Sequence, residues 1–345
     1  MDPEVPSVPS TLRRARPLAA LLLVPALSLT ALAGCGSDED DQAGGSTSEA
    51  TATAGSTPGA TPGATPSAAT CETQEAGAGG VEVTGEPGAK PELTLPEGEP
   101  APTTLTRQVL TEGDGEPVES GDLLVAGYLG KTWKEGTVFD NSYDRGQPAA
   151  FPIGVGQVIP GWDACLVGLN AGTRTVLTIP PAQGYGDQAQ GEIPAGSTLV
   201  FVVDVVGSAG ADAAGEADAS QEELPAQGPQ VEGELGQRPT VTVPEGTAEP
   251  TEPGQQVVAT GSGDPVEAGQ LVVMQYEVVD WTGQPVESTW ETGTPYGGPV
   301  GVQGQGSPFD GLVGVPVGSR VLLTIPAQGE QTPPYAVVVD VVAAY

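Results

Sequence analysis

Hydrophobic and polar positions along the chain fall into three textures. The first is a block: residues 18–33 form an apolar and small-residue run interrupted by Pro25 and preceded by Arg13, Arg14 and Arg16. The second, from Gly36 to about Gly80, consists of Ser, Thr, Gly, Ala, Pro and acids. It lacks the larger aliphatic and aromatic residues from which a core is built. The third texture is strand-like, with β-branched and apolar runs at 104–110, 123–129, 173–179 and 199–206. In the last of these, Leu199, Phe201, Val203 and Val205 share one face of a period-two pattern. After Pro160-Gly161, the residues Trp162, Cys165, Leu166 and Leu169 stand at i, i+3, i+4 and i+7, one apolar helical stripe. Several strands and one short helix predict an α+β fold, an antiparallel sheet wrapped around that helix.

The strand-like region is one unit written twice. Gly113-Asp-Gly-Glu-Pro-Val-Glu-Ser-Gly-Asp122 returns 148 positions later as Gly261-Ser-Gly-Asp-Pro-Val-Glu-Ala-Gly-Gln270. Gly172-Thr-Arg-Thr-Val-Leu-Thr-Ile-Pro180 returns as Gly318-Ser-Arg-Val-Leu-Leu-Thr-Ile-Pro326. Two tandem copies follow, 81–208 and 233–345, joined by an Ala/Gly/acid-rich linker at 209–232.

The apolar block has the layout of a secretory signal: basic residues, an apolar core too short for a spanning helix, then a small-residue end. Its terminus, Leu32-Ala33-Gly34-Cys35, resembles a bacterial lipobox. That resemblance implies cleavage of a signal peptide at 1–34 and lipidation of Cys35. The mature protein would then hang from the outer face of the cytoplasmic membrane on a disordered stalk at 35–80.

Charge and composition narrow the chemistry. There are 45 acidic and 11 basic residues, a net charge of −34, and such a chain is repelled by nucleic acid phosphates. No nucleic acid partner is expected. The chain has no histidine, which removes Ser-His-Asp catalysis, His-ligated zinc and the usual neutral-pH proton shuttle. Cys35, Cys71 and Cys165 form no C-x-x-C pair, and Asp38-Glu39-Asp40-Asp41 lacks the spacing of a calcium loop, so no metal is expected. Neither Gly130-Lys131-Thr132 nor Gly154-Val155-Gly156 completes a nucleotide-binding loop, so no cofactor is expected. Cys165 lies on the apolar stripe; a buried free thiol and a bridge to Cys71 both remain open outside the membrane.

Five segments of the first copy together resemble the FKBP family of prolyl isomerases. They are Val125-Ala-Gly-Tyr-Leu-Gly130, Thr137-Val-Phe-Asp-Asn-Ser142, Val158-Ile-Pro-Gly-Trp162, Ile179-Pro-Pro-Ala-Gln-Gly-Tyr-Gly186 and Ile193-Pro-Ala-Gly-Ser-Thr-Leu-Val-Phe201. The resemblance implies two tandem FKBP-like domains, each a half-barrel sheet curled around one short helix, with a ligand groove between sheet and helix. It implies Tyr128, Phe139, Asp140 and Tyr185 as the catalytic set. Arg145, Val158, Ile159, Trp162, Ile193 and Phe201 would hold the substrate, with Trp162 as the floor and the Ile159 N–H and Tyr185 hydroxyl as donors to ligand carbonyls. The implied partners are proline-containing exported polypeptides and macrolide ligands. The family often carries an aromatic where Ala149 stands and a histidine near Gln188 to Gln190. Capture of peptides without catalysis, as in a holding chaperone, is the alternative use of the same groove.

In the second copy the corresponding residues are Tyr276, Val286, Glu287, Thr292, Gln305, Gly306, Phe309, Glu330 and Val337, and the loop that carries Ile193 is largely deleted. One identity in ten positions predicts a domain that keeps the fold and has lost the site.

Overall fold

The computed structural model describes residues 69–345 apart from Gln303, Gln305, Glu330 and Gln331. The signal segment, Cys35 and the stalk up to residue 68 lie outside the described residues.

The first half comprises β1 (Glu72–Gln74), β2 (Glu82–Thr84), β3 (Glu92–Thr94), β4 (Thr106–Thr111), β5 (Leu123–Thr132), β6 (Val138–Asn141), β7 (Ala149–Pro152), the helix α1 (Pro160–Leu166), β8 (Arg174–Ile179) and β9 (Leu199–Ala209). Its main sheet runs β1-β4-β8-β9-β5-β6, with β7 also paired to β5. The second half comprises β10 (Ser220–Gln221), β11 (Gln230–Glu232), β12 (Thr240–Thr242), β13 (Gly254–Thr260), β14 (Leu271–Asp280), β15 (Pro285–Ser288), the single-turn helix α2 (Thr289–Thr292), β16 (Tyr296–Pro299), β17 (Arg320–Ile325) and β18 (Tyr335–Ala344). Its sheet runs β10-β13-β17-β18-β14-β15, with β16 paired to β14, the same path as the first. Mostly sheet with few helices, the chain is α+β.

The central strands are buried on both faces, which explains why their sequence lacks a clean polar alternation. On the inner face, Leu124, Ala126, Tyr128, Phe201, Val203 and Val205 pack with Trp162, Cys165 and Leu166 of α1. On the outer face, Leu129, Val176, Val200 and Val202 pack with Val81, Leu93 and Trp133. That cover comes from the β2–β3 hairpin, which lies across the back of the sheet. A buried guanidinium pins it: Arg174 Nε and Nη2 donate to Asp204 at 2.5 and 2.7 Å, while Nη1 and Nη2 donate to the carbonyls of Gly85 and Ala89 in the hairpin turn. The second copy repeats the device with Arg320, Asp340 and the carbonyls of Glu234 and Gln237.

Several expectations need correction. The stalk does not extend to residue 80: Cys71 is disulfide-bonded to Cys165 of α1, and β1 adds to the edge of the sheet. Backbone pairing with β4, the disulfide, and the packing of Ala69 and Cys71 on the core order a segment that has no large apolar side chain. That pairing is parallel, so the sheet is not wholly antiparallel. The linker at 209–232 is also structured, with β10 paired to β13 and β11 to β12. Finally, among the described residues the second copy lacks the central helix. Asp163 accepts from Gly154 N and Asp310 from Gly301 N, which aligns the two loops. From that aspartate on, copy two is one residue shorter, with Gly311 in place of Ala164 and no counterpart of Cys165. Only a 3-10 turn remains at Asp310–Leu312. α1 itself ends at Leu166, so Leu169 is buried from the connection that follows rather than from the helix.

Candidate functional site

Between the inner face of the first sheet and α1 lies a groove of about 710 Å³. Nine of the ten residues singled out in the sequence line it: Tyr128, Phe139, Asp140, Val158, Ile159, Trp162, Tyr185, Ile193 and Phe201. The tenth, Arg145, reaches the site through hydrogen bonds instead.

Each wall has a local cause. Trp162 is held by the first turn of α1, which begins at Pro160, where a missing N–H is harmless. Its ring meets Tyr128, Phe151 and Phe201 edge to face at centroid distances of 5.5, 5.2 and 5.4 Å. Phe201 in turn meets Phe139 at 5.4 Å. This aromatic chain needs Gly130: a Cβ there would stand 2.6 Å from Phe139 and 2.8 Å from Phe201. Ile193 closes one end from a tight turn in which Gln190 and Ile193 exchange backbone hydrogen bonds at 2.9 and 2.8 Å.

The polar side of the groove is a three-residue network. Tyr128 Oη donates to Asp140 at 2.5 Å. Arg145 donates from Nη1 to Asp140 at 2.6 Å and from Nη2 to Tyr128 Oη at 2.7 Å. Burial pushes the Tyr128 hydroxyl up to about 12, aided by the adjacent Asp140 carboxylate. Burial alone would raise the Asp140 carboxyl, but the bonds from Tyr128 and Arg145 hold it below the usual carboxylate range. Among the described residues several groove donors lack a partner, the buried Trp162 Nε1 included. The Ile159 carbonyl caps α1 by accepting from Trp162 and Asp163, while the Ile159 N–H has no backbone partner. Among the described residues the Tyr185 hydroxyl, half-buried in the groove wall, likewise makes no hydrogen bond.

Phe151, Gln157, Pro160 and Gln190 also line the groove and were not assigned to the site from the sequence. Phe151 had a signal: it is one of only four phenylalanines in the chain, two positions from Ala149. Facing the core from β7, it supplies a ring that Ala149 does not. Asp163 was missed as a positioning residue. Its two oxygens accept from Gly154 N and Gly156 N at 2.6 and 2.8 Å and so fix the loop that delivers Val158 and Ile159.

In copy two, Tyr276 Oη donates to Glu287 at 2.5 Å, but Thr292 replaces the arginine. The Tyr296 ring, in the register position of Ala149, packs on Tyr276 and Phe309 at 6.0 and 5.7 Å. A second cavity, about 510 Å³, lies elsewhere, against Trp281 and the prolines at 229, 244 and 250.

The family model described as FKBP-type peptidyl-prolyl cis-trans isomerase matches residues 114–206. An FK506-binding protein of Streptomyces anulatus is 42% identical over 119 residues, which cover 34% of this chain and 95% of that protein. The chain belongs to the FKBP-type peptidyl-prolyl isomerase family. A probable FK506-binding protein of Corynebacterium glutamicum is 38% identical over 34% of this chain and 97% of its own length. A crystal structure of AtFKBP13 aligns at 38% identity over 32% of this chain and 96% of that one, with a TM-score of 0.29. The FKBP match falls within the copy that carries the groove.

Proposed function

We propose that the first copy accelerates rotation about Xaa-Pro bonds in exported polypeptides. The uncatalysed barrier is roughly 18–20 kcal/mol, because the amide C–N bond is partly double. No bond breaks, so no nucleophile or histidine is required. The planar amide is more polar than the twisted one, so transfer from water into an apolar groove lowers the barrier. A rate gain of about ten-thousand-fold needs only about 5–6 kcal/mol. Desolvation against Trp162, Phe139, Phe201 and Ile193, with hydrogen bonds from the Ile159 N–H and Tyr185 Oη, is of that order. Tyr128 and Asp140 face the rotating amide, and Arg145 holds their orientation. The observation that carries this assignment is the aromatic floor beside the unpartnered Ile159 N–H and Tyr185 hydroxyl in one groove.

The macrolide ligand in the names of the FK506-binding relatives would occupy the same groove. Copy two is a degenerate FKBP-like domain without a substrate site. Cleavage after residue 34 and lipidation at Cys35 would tether both copies to the outer face of the cytoplasmic membrane, where unfolded exported chains emerge.

The test is the cis-to-trans rate of a short Xaa-Pro peptide with the purified chain, its Trp162→Ala and Tyr185→Phe variants, and added macrolide. Acceleration that both variants and the macrolide diminish supports the assignment. Peptide binding without acceleration would make the groove a capture site and overturn catalysis.

A further inference from the structure

The outer face of the first sheet is covered in two places. The hairpin covers one; the other is covered by copy two. Leu123 and Val125 on β5, whose side chains point away from the groove, are buried with Leu271 and Val273 on β14. Ala150, Ala209, Ala213, Val342, Ala343 and Tyr345 complete the cluster. Leu123 and Leu271 are repeat-equivalent, as are Val125 and Val273, each pair 148 positions apart. Ala150 and Gly297 hold the same register position in β7 and β16, and they too meet: a Cβ on Gly297 would stand 2.6 Å from the Ala150 Cβ. Each copy therefore offers the same surface to the other, the arrangement that defines an isologous two-fold interface.

The connection between the copies fits this packing. The Ala211 carbonyl accepts from Gln275 Nε2 at 3.0 Å, and Gly215 N donates to the buried Asp340 carboxylate at 3.2 Å. Ser262 donates to Glu216 through its backbone N–H and its hydroxyl. The segment just after β9 is thus fastened to copy two rather than left to swing. Meanwhile β5 and β7, which make the interface with their outer faces, carry Tyr128 and Phe151 on their inner ones.

We propose that copy two is a built-in partner subunit. It replaces the second protomer of a two-fold dimer, covers the apolar back of the groove-bearing copy, and braces the strands that carry Tyr128 and Phe151. Loss of its own groove costs nothing in this role, because the docking face lies on the opposite side of its sheet. The role is independent of whether copy one turns over substrate, so it is tested by unfolding rather than by activity.

Calorimetry and hydrogen exchange on the full chain decide it. The wild type should unfold in one cooperative transition. Leu271→Asp changes a side chain that faces only the interface, and should split the transition in two and speed exchange of the β5 amides. Gly297→Ala should lower the midpoint by at least ~3 °C, and adding Ala150→Gly, which removes the opposing methyl, should restore most of the loss. Two transitions in the wild type, unchanged β5 exchange in Leu271→Asp, or a double variant no better than Gly297→Ala would each overturn the proposal.

Discussion

Asp140 takes one donor on each carboxylate oxygen, Tyr128 on one and Arg145 on the other. Removing the phenol leaves Arg145 with one partner and the carboxylate less constrained. Tyr128→Phe should therefore lower kcat/KM about ten-fold, ~1.4 kcal/mol, in a peptide isomerisation assay. The network also sets the pH response. The Asp140 value is depressed, so its stabilisation is full above the ordinary carboxylate pKa and is lost only as pH falls through the lower folded value. The Tyr128 value is raised to about 12, so its contribution is full below the ordinary phenol pKa and is lost as pH rises through the folded value. Between about pH 5 and pH 9 neither group changes state, and no histidine titrates. The kcat/KM profile should be flat across that window; a bell centred near neutrality would contradict the assignment. At this scale the lining of the groove was largely legible in the sequence, because Tyr128, Phe139, Trp162, Tyr185 and Phe201 stand in distinctive short motifs. Phe151 was not, because its ring reaches the floor from a strand that carries no such motif.

The disulfide and the hairpin act on whole elements. Cys71–Cys165 closes a span of 94 residues and ties β1 to α1, the helix that carries the groove floor. Reduction should cost about 2–5 kcal/mol of stability, read as a lower denaturant midpoint with reductant than without. Arg174 and Asp204 are both nearly inaccessible, with side chains 2% and 7% exposed. Arg174→Met leaves the Asp204 carboxylate buried without its cation and releases the hairpin carbonyls, so it should destabilise by about 3–5 kcal/mol. An equilibrium unfolding curve for the variant checks this. These elements were the least legible. The strands at 104–110, 123–129, 173–179 and 199–206 announced themselves through β-branched residues and match β4, β5, β8 and β9 within a few positions. The edge strand β1 is held by backbone pairing and a disulfide, and the hairpins by a distant guanidinium and by a few valines and leucines in three-residue strands too short to stand out as a pattern. The helix of copy two failed for a different reason: one deleted residue and Gly311 removed the turn that the repeat implied.

At the scale of the molecule, duplication has kept one part and let another change. Both sheets share a strand order, both hairpins are clasped by a buried arginine, and both copies present the same outer face to each other. Among the described residues, the apolar groove bounded by a tryptophan, a free phenol and an arginine-held carboxylate lies in the first copy. The repeat itself was plain from the sequence, whereas the contact between copies was not. Leu123, Val125, Leu271 and Val273 read equally well as the second face of any buried strand. If catalysis belongs to the first copy alone, matched changes in the two copies must behave differently. The most direct measurement is cis–trans exchange of an Xaa-Pro peptide by NMR with the full chain, Trp162→Ala and Phe309→Ala. The expected result is strong exchange broadening with the wild type and Phe309→Ala, and its loss in folded Trp162→Ala. Exchange that survives Trp162→Ala, or that falls with Phe309→Ala, would contradict a single active groove between the first sheet and α1.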